Sequence, residues 1–172
     1  KMKKLSPYSL TAILILAVAL SGCWGGNSGG PGGTTYTPGQ ASACTVGGVS
    51  FNMRYAPSGS FTSDDNTISG DPNLPGQVTV SNAYWIAETE VTYQLWNAVY
   101  TWATDAARGA NQYHFQNAGA MGDGTGDTDQ HPVTTVSWRD AMVWCNALTE
   151  YYNAQNGTGL ACVYTYDGAI VR

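Results

Sequence analysis

The sequence predicts a domain that contains both strands and helices, and three observations carry that reading. Phe51, Met53 and Tyr55 alternate with Asn52 and Arg54, and Gln77–Ser81 alternates again, the period of half-buried strands. Two longer stretches, Thr92 to about Ala103 and Ser137 to Tyr152, repeat apolar residues at helical spacing. Asp167-Gly168 then separates Val163–Tyr166 from Ala169–Val171, a strong two-residue hairpin signal.

The chain has 172 residues, which allows one domain of ordinary size once its first segments are set aside. Lys1, Lys3 and Lys4 precede an apolar stretch from Leu10 to Leu20. That stretch is shorter than the roughly 20 apolar residues of a membrane span and reads as a secretory signal. It ends in Leu20-Ser21-Gly22-Cys23, which resembles the lipobox of bacterial lipoproteins: small residues suit the peptidase, and the Cys23 thiol takes the lipid. Residues 1–22 are therefore expected to be a signal peptide and Cys23 the lipidation site, making a membrane the first partner. Two acyl chains anchor firmly where one does not. Trp24 stands where many such lipoproteins carry an inner-membrane retention aspartate, so outer-membrane or cell-surface placement is expected.

From Trp24 to Gln40 the chain is a Gly-rich flexible tether with an expected span on the order of 20–25 Å. Residues 23–48 are assigned to the lipidated cysteine and tether, and 49–172 to the folded domain. Gly26-Asn27-Ser28-Gly29-Gly30 matches the G-x-S-x-G nucleophile pattern, but that motif works only on a strained strand-to-helix turn, which a tether does not supply.

Within the body, Pro57-Ser58-Gly59 turns the chain, residues 62–77 read as a polar loop, and Tyr84-Trp85-Ile86 returns to apolar material. Thr92 is a fitting N-cap for the first helix, whose Leu95, Val99, Trp102 and Ala103 share one face. Residues 105–130 have no periodicity. They include Asp123, Asp127 and Asp129, oxygen ligands suited to calcium, but without the glutamate and spacing of an EF-hand they read as a solvated acidic loop. Ser137-Trp138-Arg139-Asp140 has capping-box spacing, and Ala141, Trp144, Cys145, Leu148 and Tyr152 line one face of the second helix. Cys145 lies inside that stripe and reads as a buried structural thiol. Asn156-Gly157-Thr158-Gly159 ends the helix.

Charged residues make up 11% and aromatics 12%, against roughly 25% charged in ordinary soluble chains. All three lysines fall in residues 1–22 with no acid beside them, so removing that segment moves the formal charge from −5 to −8. Arg54, Arg108, Arg139 and Arg172 are the basic residues left, too few and too scattered to release many counterions from a phosphate backbone. Nucleic acid is not an expected partner. With Cys23 lipidated, Cys44, Cys145 and Cys162 remain, an odd number for an oxidising compartment. Either one stays a thiol or its partner lies beyond the sequence.

Three segments, taken in order, are similar to the sulfatase-modifying-factor, or formylglycine-generating-enzyme, family. Phe51-Asn52-Met53 through Pro57-Ser58-Gly59-Ser60-Phe61 resembles the family's opening. Val78-Thr79-Val80, Tyr84-Trp85-Ile86 and Glu88-Thr89-Glu90-Val91-Thr92 follow its second block. His131-Pro132-Val133 with Val136 to Ala141 and Trp144-Cys145 resembles its third, with Trp144 in place of the usual tyrosine. The resemblance covers roughly residues 49–153 and implies a C-type-lectin-like α+β fold, incomplete at the C-terminus. It implies that His131-Pro132 is a turn leading into a strand, and it gives neither His131 nor His114 a role as base. Catalytic members oxidise a substrate cysteine with copper held by two late cysteines, and none of Cys44, Cys145 or Cys162 matches those positions. No catalytic or metal-binding residue is therefore assigned; copper and calcium are expectations for a full-length member. The expected function is a non-catalytic module for an unknown protein or small-molecule ligand, with a formylglycine-generating oxidase as the alternative. The faces around Trp102 and Trp144 are expected to meet polypeptide beyond Arg172.

Overall fold

The computed structural model describes residues 35–63, 76–122, 124 and 126–172. The signal stretch, Cys23, the G-x-S-x-G match, the tether as far as residue 34, Asp123 and the middle of the 62–77 loop lie outside the described residues. The first strand, β1 (Ala41–Val46), pairs antiparallel with β2 (Val49–Ala56) through Val46↔Val49. Gly47 and Gly48, at φ 59° and 77°, supply the left-handed two-residue turn between them, a conformation that glycine adopts without a Cβ penalty.

This hairpin corrects the boundary expected at residue 49. Cys44 and Val46 alternate with exposed Ala43 and Thr45 and are buried, so the folded body begins inside the segment assigned to the tether. Small Ala and Ser residues at the start of β1 mask its alternation. The tie extends further back, because the Gly39 amide donates to the Tyr55 carbonyl and the Tyr55 amide to that of Gln40.

On its other side β2 pairs antiparallel with β5 (Tyr84–Ala87), giving the order β1-β2-β5. A separate hairpin joins β3 (Gly59–Ser63) to β4 (Gly76–Val80), whose Phe61 and Val78 are exposed. The ends of the expected 62–77 loop are thus strand.

Helix α1 (Tyr93–Ala103) starts where Thr92 accepts a hydrogen bond from the Leu95 amide at 3.2 Å. Helix α2 (Trp138–Asn156) starts on the complete capping box of Ser137 and Asp140 and stops at Gly157, at φ 64°. The two helices pack on each other. Trp96 and Trp144 stack with centroids 5.4 Å apart and planes 1° from parallel, both fully buried. The Trp144 indole donates to the Trp96 carbonyl at 3.1 Å and the Trp96 indole to that of Ala118 at 2.7 Å, so neither buried N–H is orphaned.

Two expectations change here. The faces around Trp102 and Trp144 meet one another: Trp144 is covered by Trp96, and Trp102 stacks on Tyr151 with centroids 4.4 Å apart. His131-Pro132 leads into isolated bridges, Thr92↔Pro132 and Ala120↔Thr134, and not into a strand. Thr135, at φ 58°, breaks the extended conformation directly after them.

Between the helices, Asp105 caps a short 3₁₀ turn (Ala106–Asn111). The hairpin β6 (Thr165–Tyr166) to β7 (Ala169–Ile170) closes at Asp167-Gly168 as its sequence predicts, with positive φ at both positions. It is held to α2 by Asn146, whose side-chain amide donates to the carbonyls of Tyr164 and Val171.

Candidate binding cleft

The register of β2 and β5 creates an opening. Pairing runs from Ala56↔Tyr84 to Met53↔Ala87, and the Glu88 amide still donates to the Asn52 carbonyl at 2.9 Å. The chain then leaves the sheet to reach α1: Val91 is buried, and its carbonyl accepts from the Val133 amide at 2.9 Å. The first half of β2 consequently has β1 on one side and a cleft of about 360 Å³ on the other, near the lower end of the roughly 300–1,000 Å³ of ligand sites. Phe51, Val91, Leu95 and Pro132 supply its apolar walls. Ser50, Asn52, Glu88, Glu90 and Gln94 supply polar groups.

The polar groups divide into held and open ones. Glu88 accepts from the Arg54 guanidinium and from the Asn52 side-chain amide at 2.7 Å, and these two bonds, Arg54 first, lower its pKa below the usual carboxylate range. It stays an oriented anion at neutral pH. The Gln94 carbonyl oxygen accepts from the Gln130 side chain at 3.0 Å. Glu90 is exposed on the rim.

The residues weighed in the sequence fall elsewhere. Asp127 closes its own loop, accepting from the Gly124 amide at 2.6 Å and lying 3.9 Å from the His131 ring. His131 accepts the Thr128 amide on Nδ1 at 2.8 Å, the geometry of a turn-closing group. Among the described residues no cluster of three or more His, Cys, Asp or Glu side chains is placed to share a metal ion. His114 is exposed, and its carbonyl accepts from Arg139 at 2.8 Å.

The cysteines have structural surroundings. Cys44 and Cys145 are buried, and burial pushes the Cys145 thiol up to about 12. Cys162 donates to the Asn146 carbonyl at 3.5 Å, and burial first, then the Glu150 charge, raises its pKa. A copper(I) site needs thiolates held together on an accessible surface. Cys145 is buried in α2 and the half-buried Cys162, beyond the end of α2, bonds to the Asn146 carbonyl, so neither stands as a free, accessible thiol.

Sequence reasoning also missed a second role for Asp140. Besides capping α2, this fully buried carboxylate accepts from the Gln116 amide at 2.7 Å and the Asn117 side chain at 2.8 Å, pinning the connection between the helices. Ser50 was not singled out either. The Val-Gly-Gly-Val run at 46–49 is the signal that places it, because that turn fixes which strand lies beside it.

The geometry thus defines a mixed α/β domain with antiparallel strands, a two-tryptophan core and a polar cleft at the sheet margin. A family model described as the sulfatase-modifying factor enzyme 1-like domain matches residues 46–164, and the chain belongs to that family. Among solved structures, variable protein 1 of Treponema denticola is similar to it at 32% identity, over 66% of this chain and 36% of that one, with a TM-score of 0.45. The chain therefore spans little more than a third of that protein's structure. No curated protein matches the chain.

Proposed function

We propose that this is an exported lipoprotein whose domain, C-type-lectin-like in arrangement, binds a ligand without catalysing a reaction on it. In this reading residues 1–22 are removed and Cys23 carries the lipid. The following residues hold the domain off an outer-membrane or cell surface. The observation that carries the binding role is the cleft, where an oriented Glu88 and an open Glu90 stand against apolar walls. The packing of Cys145 and Cys162 supports it, since Cys145 is buried and Cys162 bonds to a backbone carbonyl. Family membership favours the alternative, a formylglycine-generating oxidase completed by polypeptide outside this sequence.

Two measurements separate these readings. The full-length protein, given a cysteine-containing peptide, copper(I), a thiol reductant and oxygen, should produce no aldehyde detectable by hydrazide capture; aldehyde formation would establish the oxidase. Cys23→Ala should release the protein from the membrane fraction and abolish labelling by an alkyne fatty acid. Retention of the label in that variant would defeat the anchoring assignment.

A further inference from the structure

The backbone of β2 carries the reading of the cleft one step further. The N–H and C=O of one strand residue point to the same side, and successive residues alternate. Two sets of hydrogen bonds fix that alternation here. Tyr55 exchanges bonds with Gly39 and Gln40, on the β1 side, and Asn52 accepts from Glu88, on the β5 side. Counting by twos from Asn52 puts the amide and carbonyl of Ser50 on the β5 side. The close contact of the Ser50 and Thr45 hydroxyls, 3.0 Å apart, agrees, because side chains approach most nearly at pairs that exchange no ladder bonds. But β5 ends at Ala87, so where Ser50 points there is cleft instead of strand.

An open length of strand edge is a template for another extended chain. We propose that the cleft takes an extended peptide of a partner protein, added to the sheet beside Val49–Asn52 through the Ser50 backbone, with a lysine or arginine of the peptide facing Glu90. Charge selects this occupant. Glu90 is open on the cleft rim, Asp129 is exposed beside the neighbouring Gln130, the Glu88 charge is balanced by Arg54, and no lysine or arginine is among the residues lining the cleft. An acidic segment would meet repulsion at Glu90 and Asp129. The apolar walls at Phe51, Val91 and Pro132 suit the side chains that alternate with the basic ones. The inference rests on the binding-module reading and names its partner class.

The test is titration of the full chain with a capped seven-residue peptide of alternating lysine and valine. The controls are its glutamate counterpart and a version N-methylated on alternate amides. The basic peptide should bind, and the acidic one should bind at least about tenfold more weakly. N-methylation, which removes ladder donors and leaves the charge, should cost at least about tenfold. Ser50→Pro deletes the amide aimed into the cleft and should lose binding to a similar degree, whereas Ser50→Ala, which keeps it, should stay within about twofold. Glu90→Lys should weaken the basic peptide about fivefold or more.

Equal binding of the methylated and parent peptides would overturn strand addition and leave a side-chain-mediated module standing. Failure of both the basic and the acidic peptide to bind at millimolar concentration would overturn the proposal outright. Aldehyde formation in the oxidase assay defeats the underlying module reading instead. The peptide arm does not depend on whether any variant folds.

Discussion

Helices α1 and α2 touch through two aromatic stacks that differ in almost every respect except their parallel geometry. The inner pair, Trp96 on Trp144, is fully buried, and both of its indole N–H groups donate to backbone carbonyls. The outer pair, Trp102 on Tyr151, is half-buried and carries the Arg108 guanidinium 3.6 Å above the Trp102 ring centre. Arg108 is held in turn by Glu150 at 3.0 Å, and Glu150 also pairs with Arg172. The inner stack is stabilised by removing apolar area from water and by packing; the outer adds a cation–π contact and an ion pair near solvent. The lesson is that equal stacking geometry does not mean equal energy.

The largest expected effect breaks the inner stack. Trp144→Ala leaves a cavity beside Trp96 and should cost about 3–5 kcal/mol in chemical denaturation of the full chain; a loss below about 1 kcal/mol would mean the stack is not the core.

Asp140→Ala should cost about 2–3 kcal/mol, because it removes a cap and leaves donors from residues 116 and 117 unsatisfied. Its pH dependence has a definite sign. Burial acts to raise the Asp140 pKa, but bonds from Asn117, Ser137 and the Gln116 amide together outweigh it and lower the pKa below its ordinary 3.8. The unfolded chain therefore takes up the proton first as pH falls. The stabilisation is complete well above pH 4 and disappears as pH drops through the folded-state value. Asp140→Asn should flatten that acid limb, and an unchanged limb would reject the assignment.

Gly119→Ala sharpens the comparison by pressing on the inner stack from outside. A Cβ there would lie 2.5 Å from the Trp96 indole nitrogen and 2.9 Å from Val133, on a backbone at φ 78°. A cost of about 2 kcal/mol is expected, with a changed near-ultraviolet tryptophan signal. The smallest effect belongs to the outer stack. Arg108→Met keeps an apolar cover over Trp102 and should cost about 1 kcal/mol, a difference that shrinks in molar salt. The Trp144→Ala difference should not shrink.

How legible these features are in the sequence depends on how far apart their parts lie. The caps at Thr92, Ser137 and Asp140 and the Asp167-Gly168 turn are local chemistry, and each forms where the sequence places it. Trp96 is harder to read. The helical stripe admits Leu95, Val99 and Ala103, and choosing Trp102 as their neighbour leaves out the residue that is more deeply buried. The grip of Asp140 on residues 116 and 117 spans more than twenty positions, with no local signal at either end. The cleft is the least legible of all. It exists because β5 is shorter than β2, and no property of Ser50 itself announces that its neighbour has stopped.

The way the chain enters the sheet also has a mechanical side. Gly39 and Gln40 are bonded to Tyr55 at the end of β1 opposite its turn, while the open stretch of β2 lies near that turn. A pull that arrives through residue 40 and is resisted at Val49–Asn52 runs along the two strands in opposite directions. It loads all six residue pairs from Ala41↔Arg54 to Val46↔Val49 at once, where a perpendicular pull would peel them one after another. Loaded in this direction, the hairpin resists through its turn and its ladder together.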